Sequence, residues 1–220
     1  MSDFAAARER MIERQIAGRG LRDPRLLEAF SAVPRELFVP RELEERAYDD
    51  CALPIECGQT ISQPYIVALT VHAAEIGPDH RVLEVGAGSG YAAAVMSRLA
   101  RAVIAVERIP ALARLADERM RSLGFDNVLV LSRDGSLGCP GQAPFDAIVC
   151  AAAGPQVPQA WLEQLAPGGR IVMPVGAIEG VQQLVRVTLD RDRQPHREEL
   201  EPVRFVPLIG AQAYDEPDPS

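Results

Sequence analysis

The stretch Gly58-Gln59-Thr60-Ile61-Ser62-Gln63-Pro64 carries two hydroxyls and two amides but no acid, no base and no metal ligand. Such a loop offers hydrogen bonds without charge, so general acid–base and metal chemistry are not its business. A second stretch, Val82 to Tyr91 (VLEVGAGSGY), sets Gly86, Gly88 and Gly90 where an apolar strand pattern turns into a helical one, with Glu84 just ahead of them. Glycines at such a junction let backbone approach a ligand closely. The spacing is G-x-G-x-G rather than the G-x-G-x-x-G of dinucleotide sites, and no G-K-[ST] follows, which weakens hydride transfer and phosphate-loop readings. Glu107 ends the next strand pattern, where an acid can accept hydrogen bonds from both ribose hydroxyls, and Asp134-Gly135 follow the third, level with an adenine amino group. Together these positions read as a nucleoside site.

The elements that must hold these residues are legible in the periodicity. Phe4, Ala7, Met11, Ile12 and Ile16 recur at helical spacing over residues 3–17, and Gly18-Arg19-Gly20 ends the run. Asp23-Pro24 predicts an N-cap and first helical position for a helix through Phe30 that Val33-Pro34 stops; a short helical turn follows near Arg41–Glu45. Pro64 opens another helix, with Ile66, Leu69, Thr70 and Ala73 on one face. From Arg81 the texture changes to short Val/Ile-rich runs at 81–85, 102–106, 128–131, 146–150 and 170–174, alternating with helical patterns at 90–100, 110–123 and 158–165. That alternation predicts a doubly wound, mostly parallel α/β sheet of Rossmann-like form. Residues 181–189 and 200–206, joined by the polar turn 190–196, predict an antiparallel strand pair at its edge. The expected organisation is one structural domain: a helical extension with the loop over 1–80, the nucleoside-binding sheet over 81–210, and a disordered tail over 211–220.

Composition narrows the partners. A chain of 220 residues with 47% apolar content buries the core of one sizeable domain, and 31 acidic against 23 basic residues (net −8) argue against a nucleic-acid partner. The four cysteines (51, 57, 139, 150) form no C-x-x-C pair and the three histidines (72, 80, 196) are scattered, so neither a zinc site nor a disulfide framework is expected. Met1 to Gln15 is charged from the start and no run reaches membrane-spanning length, so the expectation is a cytoplasmic protein with no membrane partner, monomeric by default.

VLEVGAGSGY, the acid of AVERI and PFDAIVCAAA…LAPGGRIVMPVG resemble the class I S-adenosylmethionine-dependent methyltransferases. Across roughly residues 11–210 the likeness is closer still. RQIAGRGLRDPRLLEAFSAVPRELFVP, ALPI..GQTISQPY, APFDAIV, LAPGGRIVMPVG and VRFVPL resemble the protein-L-isoaspartate O-methyltransferase family in order and spacing, with GQTISQP and RELFVP specific to it. The resemblance implies S-adenosylmethionine as donor, S-adenosylhomocysteine as product, no metal, and isoaspartyl or D-aspartyl residues of damaged proteins and peptides as substrate. By the same resemblance Ser62 is the catalytic serine; Gln59, Thr60, Ile61, Glu84, Gly86, Gly88, Gly90, Glu107, Asp134 and Gly135 hold the cofactor; and Thr60, Ser62, Gln63 and Val206 line the substrate cleft.

The charge-free loop then makes chemical sense. An α-carboxylate with a reference pKa of about 3.3–3.7 reaches the enzyme ionised and needs no base. A cationic clamp would drain its nucleophilicity, whereas hydroxyls and backbone N–H groups orient it, with Ile61 helping to exclude water. A plainer reading makes GQTISQP a turn that caps the helix at Pro64, with Ser62 or Gln63 bonding backbone. Alternatives at the level of function are methylation of another peptide carboxylate and a nucleoside-binding module without turnover. The chain departs from many family members at Glu56 and Arg133, where glycine is frequent, and Glu56 is expected to point away from the cleft. Cys57 and Cys150 are read as small packed thiols and Trp161 as a packing residue.

Overall fold

The structure is a computed structural model that describes residues 3–190 and 192–216. Asp3 accepts a hydrogen bond from Ala6 N and caps α1 (Phe4–Met11), which runs on as a π-helical turn over Ile12–Ile16 and a 3-10 turn over Ala17–Arg19 before Gly20 ends it at φ 100°. The expected single helix therefore widens part-way. Met11 and Ile16 are five residues apart, which an α-helix would put on different faces; the wider turn brings both into the core. Asp23 caps α2 (Pro24–Ala32) through Arg25 N at 2.9 Å, and 3-10 turns follow over Arg35–Phe38 and Arg41–Arg46.

The loop of interest is pinned by a feature that periodicity could not show. β1 (Leu53–Pro54) and β2 (Thr60–Ile61) pair antiparallel, Leu53 opposite Ile61, and α3 (Pro64–Ala73) starts immediately afterwards. α3 is buried nearly all round rather than on one face, because it lies between the N-terminal helices and the sheet.

The remaining elements are β3 (Arg81–Val85), α4 (Tyr91–Ser97), β4 (Ala102–Glu107), α5 (Pro110–Ser122), β5 (Val128–Ser132), β6 (Phe145–Cys150), α6 (Gln159–Gln164), β7 (Leu165–Val175), β8 (Gln182–Leu189) and β9 (Pro195–Val203). The strand order is β5-β4-β3-β6-β7-β8-β9, parallel from β5 to β7 and antiparallel for the last two. One apolar cluster fills the side facing the N-terminal helices and a second, around Trp161 and Phe145, fills the other.

Two expectations are corrected. The last strand spans Pro195–Val203 instead of 200–206, because Asp190 accepts hydrogen bonds from Asp192 N and Gln194 N and closes a shorter turn. The charged run from Arg197 to Glu201 hides the strand in sequence, and beyond Val203 the chain leaves the sheet. The tail is ordered further than expected: Gly210 N donates to Tyr214 O, the Tyr214 hydroxyl donates to Gly176 O, and Arg108 pairs with Glu216. The rest of the expected tail, 217–220, lies outside the described residues.

Candidate active site

β3 and β6 are neighbours, but the chain leaves β3 toward one edge of the sheet and enters β6 on its way to the other. A crevice opens beyond the carboxyl ends of the strands at such a switch point. Gly86 and Gly88 border it with φ of 82° and 55°, a region L side chains rarely adopt. A Cβ at either would meet its neighbours no closer than 3.6 Å, so backbone conformation and not crowding by protein requires glycine there. Glu107, at the end of β4, accepts from Gly88 N at 3.0 Å through Oε2 and from Ile109 N at 2.9 Å through Oε1. Its carboxylate is thus fixed by backbone, and each oxygen keeps a second lone pair for a ligand hydroxyl.

The crevice is walled by Gly86, Gly88, Glu107 and Gly135 on the sheet side and by Gln59 and Thr60 on the loop side. A neighbouring cleft, open to solvent, is lined by Thr60, Ser62, Gln63, Val181 and Val206. A third, inner cavity lies under the loop and contains Glu84 and Tyr91. Thr60 and Ala151 border all three, so the loop stands where they meet.

Within the loop, Ile55 N donates to Gln59 O at 2.9 Å, and Cys57 (φ 57°) and Gly58 (φ 68°) turn the chain between the two short strands. α3 has no side-chain N-cap: the Gln63 amide donates instead to Asp50 Oδ1 at 2.7 Å. Among the described residues no hydrogen bond engages Ser62 Oγ, while the Ser62 carbonyl accepts from the buried Arg35 at 2.8 Å. The capping reading of the loop therefore fails, and the free hydroxyl stands in the cleft at the positive end of the α3 dipole, where an anion is favoured.

Residues 6–213 match the family described as Protein-L-isoaspartate(D-aspartate) O-methyltransferase (PCMT). The chain belongs to this isoaspartyl methyltransferase family. It is 53% identical over 213 residues to protein-L-isoaspartate O-methyltransferase 1 of Rhodopseudomonas palustris (strain HaA2), covering 97% of this chain and 87% of that one. It is likewise 53% identical over 207 residues to protein-L-isoaspartate O-methyltransferase 2 of Pelobacter propionicus, covering 94% and 92%. A solved protein-L-isoaspartate O-methyltransferase superposes with a TM-score of 0.83 at 29% identity, covering 94% of this chain and 67% of that one. The solved structure of a Plasmodium falciparum protein-L-isoaspartate O-methyltransferase in complex with S-adenosyl-L-homocysteine shares the fold with a TM-score of 0.78 at 24% identity, covering 92% of this chain and 98% of that one.

Not every expected position of the isoaspartyl methyltransferase pattern faces the crevice. Gly90, at φ 91°, packs against α5, where a Cβ would lie 2.9 Å from Met120 Cε. Its task is to start α4 against α5. Asp134 is turned to the C-terminal segment: Oδ1 accepts from Ser136 N at 2.8 Å and Oδ2 from Ala211 N at 2.9 Å. Partial burial pushes its pKa up, but these hydrogen bonds prevail and hold the carboxyl below its ordinary range. Gly135, by contrast, lines the crevice, and a Cβ there would run into Val85. Arg133 points at Cys139 Sγ (3.0 Å).

Glu84 is 1% exposed, its Oε2 has no partner, and burial, with the Glu107 charge second, pushes its pKa well above the carboxylate range. It faces the inner cavity. Cys150 is buried as expected, its thiol pushed up to about 12 by burial, whereas Cys57, expected to be a packed thiol, is exposed on the turn between β1 and β2. Sequence reasoning missed the braces. Trp161, read as a packing residue, donates its Nε1–H to Gly135 O at 2.9 Å, and Gln164 accepts from Cys139 N and donates to Leu137 O, so these two α6 residues hold the crevice floor. It also missed Pro207–Ile209, which wall the crevice after Ala153 has tied Val206 and Leu208 to the end of β6.

Proposed function

We propose that this chain methylates the free α-carboxylate of L-isoaspartyl (or D-aspartyl) residues in damaged proteins and peptides, with S-adenosylmethionine as donor. The observation that carries the reading is the unengaged Ser62 hydroxyl, set on a charge-free loop between a glycine-lined crevice and an open cleft. Residues of the crevice fit the donor: Glu107 retains lone pairs for ribose hydroxyls, and Gly86 and Gly88 present backbone without side chains. Glu84 adds a buried carboxyl with an unpartnered oxygen on the loop's inner side. When bound, the donor supplies a methyl group on a sulfonium, and the C–S electron pair returns to sulfur as a carboxylate oxygen takes the methyl.

The chain's own part is positioning. Thr60 and Ser62 donate to the carboxylate, Val206 borders the substrate, and Ile61, 4% exposed, helps keep water from the meeting point. No proton has to move, because the nucleophile arrives ionised. The methyl ester released is attacked by the next backbone nitrogen, losing methanol and forming a succinimide that water reopens partly to normal aspartate; the outcome is protein repair. Among the described residues no helix is long and apolar enough to cross a membrane. Labelled methyl transfer to paired isoaspartyl and aspartyl versions of one peptide tests the reading: label on the isoaspartyl version alone is expected, and transfer to neither or both equally overturns it.

A further inference from the structure

Arg35 is fully buried and forms no ion pair among the described residues. Its Nε donates to Ala47 O at 2.7 Å and its Nη2 to Ser62 O at 2.8 Å, its guanidinium carbon lies 4.8 Å from the Tyr91 ring centroid, and Nη1 has no partner. Burying a guanidinium without an anion is costly, and a chain that retains one there is using it for something other than stability. What it fixes is one peptide plane. In a trans peptide the carbonyl and the following N–H point in opposite directions, so a Ser62 carbonyl held toward the core turns the Gln63 N–H outward, into the cleft that Ser62 and Gln63 line. Gln63 precedes α3 and follows β2, and no hydrogen bond ties its N–H to any described residue.

We propose that Arg35 is a positioning residue that sets the Gln63 N–H as a further donor to the substrate carboxylate, beside the Ser62 hydroxyl. This rests on the isoaspartyl reading of the site. It also accounts for how a loop without charge holds an anion: the cation stands one layer behind, acting through a peptide dipole, and never touches the nucleophile whose electrons must attack.

The test compares Gln63→Pro with Gln63→Ala. Both lose the side-chain amide, but only proline loses the N–H, and the native φ of −48° and ψ of 137° are close to what proline adopts. Gln63→Pro is expected to lower kcat/KM for an isoaspartyl peptide at least about tenfold below Gln63→Ala, as loss of one preorganised donor does, with S-adenosylhomocysteine affinity unchanged between the two. Arg35→Lys keeps the charge but not the fork, and is expected to lower the same ratio about tenfold in the wild-type background and by less than about twofold in the Gln63→Pro background. A purely structural Arg35 would instead add its full effect in both backgrounds. Equal activity of Gln63→Pro and Gln63→Ala, or additivity of Arg35→Lys with Gln63→Pro, overturns the inference while leaving the isoaspartyl reading intact. Should Arg35→Lys not fold, the proline–alanine comparison decides alone. Absence of methyl transfer by the unmodified enzyme would instead overturn the reading beneath it.

Discussion

Glu56 Oε1 lies 2.7 Å from Arg119 Nη2, so the anion that precedes the substrate loop is tied to α5 and turned from the cleft. Glu56 is not among the residues lining either the crevice or the substrate cleft. Had its carboxylate stood about 6 Å from the substrate's, repulsion at an effective dielectric near 20 would cost about 3 kcal/mol. Glu56→Gln is therefore expected to change KM for an isoaspartyl peptide by less than about threefold, and less again in salt, because only a screened field remains. A tenfold fall in KM in steady-state assays would place Glu56 against the substrate.

Glu107 should matter more than an ordinary ribose ligand, because its two oxygens also fasten Gly88 N and Ile109 N. Glu107→Ala removes the ribose acceptor and frees the glycine loop together. Titration calorimetry is expected to show S-adenosylhomocysteine binding weakened by at least about 1.5–3 kcal/mol, the range for hydrogen bonds to a charged group. An unchanged affinity in a folded variant would mean the ribose is held elsewhere.

How far the sequence carried this architecture depends on the kind of signal. The central parallel strands were legible because strands buried on both faces are continuous Val/Ile runs, and Pro24 and Pro64 marked helix starts through their fixed φ. Strand β9 was displaced because its exposed residues are charged, and the two-residue pair that pins the loop is too short to have a period. Within the site, Gly86, Gly88, Gly135 and Glu107 line one crevice with Gln59 and Thr60 of the loop. Asp134 and Gly90 did not line the crevice, since a motif fixes backbone position but not the side to which a neighbouring segment such as Ala211 draws a carboxylate. The braces Arg35, Trp161 and Gln164 act across long sequence separations, and nothing in their local context announces them.

Glu84 gives a stability signature that depends on pH. Its folded pKa is raised above the unfolded value near 4.5, first by burial and then by the Glu107 charge. The folded state then holds a proton that the unfolded state releases, so this group costs stability progressively as pH rises above the unfolded pKa and costs nothing below it. Glu84→Gln, which keeps the shape without the proton, is expected to raise Tm relative to wild type more at pH 8 than at pH 5. A gain that is constant with pH, or larger at pH 5, would contradict the raised pKa.

The histidines make a kinetic prediction. His80 Nδ1 accepts from Gly77 N, His196 pairs with Asp190, and His72 lies with His80 on the surface near Arg170; none borders the crevice or the substrate cleft. With an ionised nucleophile and no base, kcat is expected to show no histidine-like limb between about pH 6 and 8. An ionisation near 6.5 that disappears on changing any of the three would contradict the mechanism.

Ser62 is the sharpest case, because its hydroxyl has no structural duty to confuse the result. No hydrogen bond among the described residues engages Oγ, α3 takes no side-chain cap, and the Ser62 contact with Arg35 is through its backbone carbonyl, which alanine retains. Ser62→Ala should therefore leave Tm near that of the wild type and cofactor affinity within a few-fold. What it removes is a donor aimed at the carboxylate as it approaches the methyl, and such losses lower kcat by roughly 10- to 1,000-fold. Steady-state kinetics with a saturating donor, alongside calorimetry with S-adenosylhomocysteine, separate the two effects. A fully active Ser62→Ala enzyme would transfer the whole positioning task to Thr60 and the backbone N–H groups. A fall in kcat accompanied by an equal loss of cofactor affinity would instead make Ser62 part of the crevice wall, not of the reaction.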